Sequence, residues 1–479
     1  MIGAGHNGLV AAAYLARAGF AVEVFERRDV VGGACVTEEL WPGVRASPAA
    51  YTLSLLRGPI IRELELDRHG LRVEVHEPYL FAPQPDGRKV VTWSDRRRTH
   101  AQLERDWSRA DADGYADWAK RWDAAAQRAR PLMLEPPDRD RWLAAIGPEI
   151  LDGPIASELE GIPSVAVRVP FALQGLIGTL AGPEDPGTAF VGFYHELGEA
   201  TSRPGAWGYA RGGMGAVTQA LRRAAEAAGA RINVGESVER ILVEDGAARG
   251  VVLAADGREV RARTVLSNAD PLRTSALADV GAPQGWRQAG PVVKVMLLLD
   301  GLPDLPAWPG PEPWLGAIDV GFTLEELGSA ARDARAGQMP ETPWIEAACQ
   351  TAADPTLAPP GRHVLSLFCQ CFPANIDADA AAELCVARFA QVCPGLPERI
   401  VGRVALGPRE LEQRFGLTGG HIFHGEMLPG QVLEGRPGPR CFGGVESLYL
   451  AGSGAHPGGA VTGAPGYLAA RAVVEDLLG

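Results

Sequence analysis

Gly3, Gly5 and Gly8 open the chain in the spacing Gly-x-Gly-x-x-Gly, and Glu26 follows eighteen residues after the last of them. Glycines so spaced allow a tight turn, let backbone approach a pyrophosphate and let a helix pack closely on a strand. A carboxylate at the end of the next strand accepts hydrogen bonds from ribose hydroxyls and repels a 2′-phosphate, which disfavours NADP. The chemistry is the holding of a dinucleotide, and these four residues alone do not separate FAD from NAD.

Other residues that could do chemistry are scattered. His195, between Tyr194 and Glu196, is a candidate proton acceptor, although a histidine satisfied by local hydrogen bonds is the plainer account. His456 precedes Pro457 in a glycine-rich loop and shapes a turn. His421, His424 and Glu426 sit among glycines without a helix to align them, so no metal site is read there. Cys35 is expected to be a small buried thiol rather than a covalent link to a cofactor. The seven cysteines are odd in number and lack Cys-x-x-Cys spacing, pointing to free thiols in a reducing cytoplasm. Cys369 and Cys371 are expected on one face of a strand.

The glycines need a strand before them and a helix after them. An Ala-rich helix follows to Gly19, then a strand over residues 21–25, but only Met1 and Ile2 precede Gly3. Either the first strand is stunted or the recorded start is late. Gly32 and Gly33 form a second glycine turn, an extra clamp that an extended FAD needs and NAD seldom does. Arg96, Arg97 and Arg98 read as a solvated loop, and Trp118 and Trp122 share one helix face. Residues 131–205 alternate poorly, so some of their apolar groups are expected to line a cavity. Regular patterning returns with an amphipathic helix over 216–228, strands to about residue 267, a strand over 292–299 and a helix over 380–392. Near the end a buried strand, 448–453, runs into a glycine loop at 456–464 and a closing helix over 467–478.

The chain has 479 residues, more than one hydrophobic core sustains, with 46% hydrophobic and 22% charged residues, as in an ordinary globular protein. A net charge of −13 argues against a nucleic-acid surface. No apolar run approaches the ~18 residues that span a bilayer, and the apolar N-terminus lacks the basic flank of a signal peptide. A cytoplasmic protein, at most peripheral to a membrane, is expected.

Gly3-x-Gly5-x-x-Gly8, Glu26-Arg27 with Gly32-Gly33, Arg211-Gly212-Gly213-Met214-Gly215, Ser267-Asn268-Ala269-Asp270-Pro271 and His456-Pro457-Gly458-Gly459 resemble the phytoene-desaturase-like FAD-dependent oxidoreductases. Gly419-Gly420-His421-Ile422-Phe423-His424-Gly425 is similar to a narrower branch, the pyridine nucleotide-disulfide oxidoreductase domain-containing protein 2 group. The resemblance implies an α/β fold: a Rossmann-type, glutathione-reductase-like FAD-binding domain, discontinuous in sequence, with a second α+β substrate domain. The expected boundaries are 1–75, 206–284 and 426–479 for the FAD domain, and 76–205 and 285–425 for the substrate domain. It also implies that Glu26 and Arg27 serve the cofactor, that Val238 lies beside the adenine, and that Gly452 and Gly459, Ala460 and Val461 face the isoalloxazine ring. Ser453 stands where amine oxidases carry an acid, which disfavours amine oxidation. The implied reaction is hydride transfer from an apolar or partly apolar organic substrate to flavin N5, a dehydrogenation. A saturase or isomerase, an amine oxidase and a non-catalytic flavin-stabilised binding protein are the alternatives. The partners expected are a small-molecule substrate and an electron acceptor not specified by sequence, without nucleic acid or metal, and with peripheral membrane contact if the substrate is long and apolar.

Overall fold

The computed structural model describes all 479 residues. Its first helix, His6–Arg17, starts behind Gly5 and stops short of Gly19, whose φ of +88° suits glycine. Leu9 to Ala13, Leu15 and Ala16 are all buried, so this helix is apolar around most of its circumference and lies inside the protein. Small alanines admit close neighbours: the closing helix Ala464–Leu478 and the helix Gly215–Ala227 both pack on it.

Strand Glu23–Glu26 pairs in parallel with Arg231–Val234 on one side and with Ile2 on the other. Ile2 also bridges Ser267, the last residue of strand Val265–Ser267, which pairs in parallel with Leu448–Leu450. A Rossmann-type parallel sheet is thus assembled from the beginning, middle and end of the chain. Its central strand is one bridged residue, held where Ile2 N–H donates to Leu266 O at 2.9 Å and Gly3 N–H to Phe25 O at 2.8 Å. Val238–Glu244, Ala247–Leu253 and Glu259–Arg261 form a separate antiparallel sheet.

The second layer system is built on a seven-stranded sheet. Its spatial order is Ile400–Leu406, Val292–Leu299, His363–Gln370, Trp344–Cys349, Ala317–Val320, Leu80–Pro83 and Lys89–Thr92, antiparallel except where Ala317–Val320 meets Leu80–Pro83. One face packs Val293, Val295, Leu365, Leu367 and Cys369 against Ala381, Cys385 and Phe389 of helix Ala378–Ala390. Above the other face lie helices between residues 109 and 195. Those helices explain the poor alternation of that stretch: in Thr188–His195 all eight residues are buried. No helix is long and apolar enough to cross a membrane.

Two local expectations are corrected. Arg96, Arg97 and Arg98 are not a loop but the first turn of helix Arg96–Asp106, capped by Asp95, whose carboxylate accepts from Arg97 N–H at 2.9 Å. Arg96 pairs with Asp123, and the Arg98 guanidinium lies 4.2 Å from the centre of the Trp93 ring, so these two are locally engaged. Cys369 and Cys371 do not share a strand face. The φ of +68° at Cys371 turns the chain out of the strand, sending the two thiols into opposite cores. All seven cysteines are free.

Glycine is demanded by backbone proximity at Gly8 in the first helix and at Gly466 in the closing helix packed on it. A Cβ on Gly8 would lie 2.4 Å from Gly3 O, and one on Gly466 2.0 Å from Asn7 O, whereas one on Gly161 would meet nothing within 4 Å. Gly8→Ala and Gly466→Ala are each expected to lower stability by about 1–3 kcal/mol. Gly161→Ala should stay within about 0.5 kcal/mol. Denaturant unfolding of the three variants checks the difference.

Candidate active site

A single cavity of about 390 Å³ connects the glycine turns to the seven-stranded sheet. At its nucleotide end the buried carboxylate of Glu26 is fixed by two backbone donors, Ala4 N–H to Oε2 at 2.8 Å and Arg28 N–H to Oε1 at 2.9 Å. Each oxygen keeps a lone pair for a further donor. The first helix has no cap from its own N-cap residue, Gly5, and no acidic residue in its first turn, so no carboxylate of its own neutralises its positive end. Gly8 N–H donates to Asn268 Oδ1 at 3.0 Å, tying the helix start to the middle segment. A Cβ on Gly5 would lie 2.7 Å from Asn268 Nδ2, so the protein's own packing already requires glycine there.

Gly3, Gly5, Glu26, Arg27, Gly32, Gly33, His195, Val238, Ser453, Ala460 and Val461 all line this cavity. Gly8, Gly452 and Gly459 stand behind its wall. A Cβ on Gly452 would meet Asn268 O at 2.6 Å, and one on Gly459 would meet Phe423 Cβ at 2.2 Å. Ser453 Oγ accepts from Asn7 Nδ2 at 3.1 Å, joining the last segment to the first helix. Ala460, at φ +66°, turns its carbonyl to His6 Nε2 at 3.1 Å; burial pushes His6 down to about 4, so the neutral ring donates there. Arg27 Nη2 donates to Arg414 O at 3.2 Å and is thereby anchored beside the cavity.

His195 ends its helix with Nδ1 2.9 Å from Val191 O and its ring stacked on Trp207, centroids 5.7 Å apart. The carbonyl demands a proton on Nδ1, which leaves Nε2 as an acceptor. Burial lowers the ring's pKa to about 4, so His195 is neutral at pH 7 and a weak base.

Several cavity residues escape sequence reasoning. Asn268 appears within a recognisable motif, but nothing there marks it as the side chain that spans Gly5 and Gly8. Lys294, Glu346, Phe368 and Tyr51 form the far wall. Lys294 Nζ donates to Ser366 Oγ at 2.8 Å and lies 3.6 Å from the centre of the Tyr51 ring. The Tyr51 hydroxyl donates to Glu346 Oε1, and Gln174 Nε2 approaches Oε2 at 3.5 Å. Desolvation pushes Lys294 down to about 7, opposed by the neighbouring Cys369 and Glu346. Burial raises Glu346, with Tyr51, Gln174 and Lys294 opposing, and raises Asp319 well above the carboxylate range, aided by Glu346. A detectable signal did exist: Lys294, Asp319 and Glu346 are lone charges inside otherwise apolar strands.

Lys294 yields a pH prediction. Its folded pKa is below its unfolded value, so between about 7 and 10.5 the unfolded chain binds the extra proton and stability rises with pH. Lys294→Met removes that liability. Its stability relative to the parent is expected to be most favourable at and below pH 7, by on the order of a few kcal/mol, and to decline towards pH 10.5. Denaturant unfolding of both proteins across this range measures the difference.

The NAD(P)-binding Rossmann-like domain model matches residues 1–64. Across its whole length the chain is 37% identical to pyridine nucleotide-disulfide oxidoreductase domain-containing protein 2 of Rattus norvegicus, covering 93% of that protein. It is 27% identical to the zeta-carotene-forming phytoene desaturase of Myxococcus xanthus, over 100% of this chain and 93% of that one. An oxidoreductase structure from Methanosarcina mazei shares the fold with a TM-score of 0.64, at 20% identity and 99% coverage of both chains. The chain belongs to the pyridine nucleotide-disulfide oxidoreductase domain-containing protein 2 family, a branch of the phytoene-desaturase-like oxidoreductases.

Proposed function

We propose that this oxidoreductase is an FAD-dependent dehydrogenase acting on an organic substrate with an apolar body. The observation that carries the reading is the continuity of one cavity from Glu26 and the N-terminus of the first helix to a wall containing Leu55, Ile177, Trp207, Phe368, Ile422 and Phe423. The residues present suit FAD: Glu26 has lone pairs for a ribose, and the helix N-terminus suits a pyrophosphate. Gly33, at φ +58°, lets backbone run beside Gly5. The full-length similarity to a phytoene desaturase supports the same reaction class.

Bound FAD supplies a hydride acceptor at N5. The chain's contribution is binding, orientation and exclusion of water. The stretch from Ser453 to Val461 is held by Asn7, Tyr194 and Phe423, with the Tyr194 hydroxyl donating to Gly459 O at 3.2 Å. Aromatic and aliphatic groups desolvate the substrate end, and His195 Nε2 offers an acceptor that stays neutral throughout the physiological range.

The purified protein is expected to carry FAD, and Glu26→Gln to weaken FAD binding about tenfold or more by loss of a charge-assisted acceptor. Equilibrium titration with apoprotein measures both affinities. An oxidisable substrate should bleach the oxidised flavin spectrum without oxygen. A protein that neither binds FAD nor gains thermal stability from it would refute the reading.

A further inference from the structure

One row of the seven-stranded sheet is more polar than an apolar substrate requires. Lys294 faces Phe368, Phe368 faces Glu346, and Glu346 faces Asp319 as direct partners on successive strands. Direct partners project from the same face. Lys294, Phe368 and Glu346 line the cavity, with Tyr51 closing over them. Lys294 and Glu346 lie two strand spacings apart, ~9–10 Å between backbones.

This arrangement is costly. Burial of an ion costs several kcal/mol unless it is well paired. Lys294 and Asp319 are 1% exposed, and both Asp319 carboxyl oxygens are without any hydrogen-bond partner. Asp319 therefore holds its proton, as its raised pKa indicates, and adds no charge. The sheet does not need the row for cohesion, since its opposite face is an apolar core. Lys294 and Glu346 are each held from behind, by Ser366 and by Tyr51 with Gln174, yet both retain bonding capacity: two ammonium hydrogens on one and free lone pairs on the other.

A hydrocarbon would leave both groups unpaired. A carboxylate has no hydrogen to donate to Glu346, and an ammonium has no lone pair to accept from Lys294. An uncharged group that accepts from Lys294 and donates to Glu346 satisfies both, and the simplest is a hydroxyl. We propose that Lys294 and Glu346 bind a hydroxyl at one end of the substrate's apolar body and so select which carbon is presented for oxidation. This assignment rests on the reading of the cavity as the substrate site of a dehydrogenase.

The test uses the intact protein with decanol, nonyl methyl ether and undecane as length-matched probes. Binding is followed by perturbation of the bound flavin spectrum and by thermal midpoint. Decanol should bind at least about tenfold tighter than either of the others, the difference of one well-made polar contact. Lys294→Met and Glu346→Leu should each cut that preference to about threefold or less, and Tyr51→Phe, which releases Glu346, serves if either variant fails to fold. Equal binding of the three probes, binding of none, or a preference that survives the substitutions would overturn the proposal. A protein that holds FAD without preferring decanol leaves the dehydrogenase reading standing. A protein that binds no FAD refutes that reading, while the thermal shift with decanol still reports on Lys294 and Glu346.

Discussion

Close backbone approach around Gly3, Gly8 and Gly466 is the constraint on which the other features depend. With no side chain at Gly8 or Gly466, the first helix settles between the sheet and the closing helix. Its N-terminus then meets segments that lie hundreds of residues away in sequence. Asn268 and Ser453 convert that proximity into register, one bonding Gly8 N–H and the other accepting from Asn7. Ile2, bridged to both Phe25 and Ser267, is held in the sheet by these contacts as well as by the ladder.

The seven-stranded sheet solves a different problem, presenting polar groups inside an apolar domain. Strand alternation sends Val293 and Val295 into one core and Lys294 towards the cavity. The same alternation, in register across four strands, aligns Lys294, Phe368, Glu346 and Asp319. Shifting one strand by one residue would bury the charges in the apolar face instead. Register here decides chemistry as much as stability.

Desolvation governs the electrostatics around the cavity. It lowers His6, His195 and His456 to about 4 and His421 to about 3, so these rings are neutral rather than cationic. The buried Arg436 has carbonyls in place of a carboxylate partner: Gly425 O at 2.7 Å, Phe423 O and Glu426 O at 3.3 Å, and Ser453 O. It thereby binds the segment around Phe423 to the loop after the last strand of the parallel sheet. That gives the Gly419–Gly425 motif a structural purpose, since Phe423 packs directly on Gly459 and itself lines the cavity.

The amino-acid sequence by itself determined the dinucleotide cradle, because its glycine spacing, helix and acidic strand end are local features within 26 consecutive residues. The strand carrying Lys294 was equally legible as a strand. What the local pattern could not convey was which charges would meet, for Tyr51, Lys294 and Glu346 come from separate segments and are united only by cross-strand register and packing over the sheet. The same limit applies to residues 131–205, whose helices are buried on so many sides that amphipathic periodicity is erased. Tertiary structure alone also decided that Gly8, Gly452 and Gly459 stand behind the cavity while Asn268 enters it, because the distinction rests on backbone contacts between distant segments rather than on residue type or spacing.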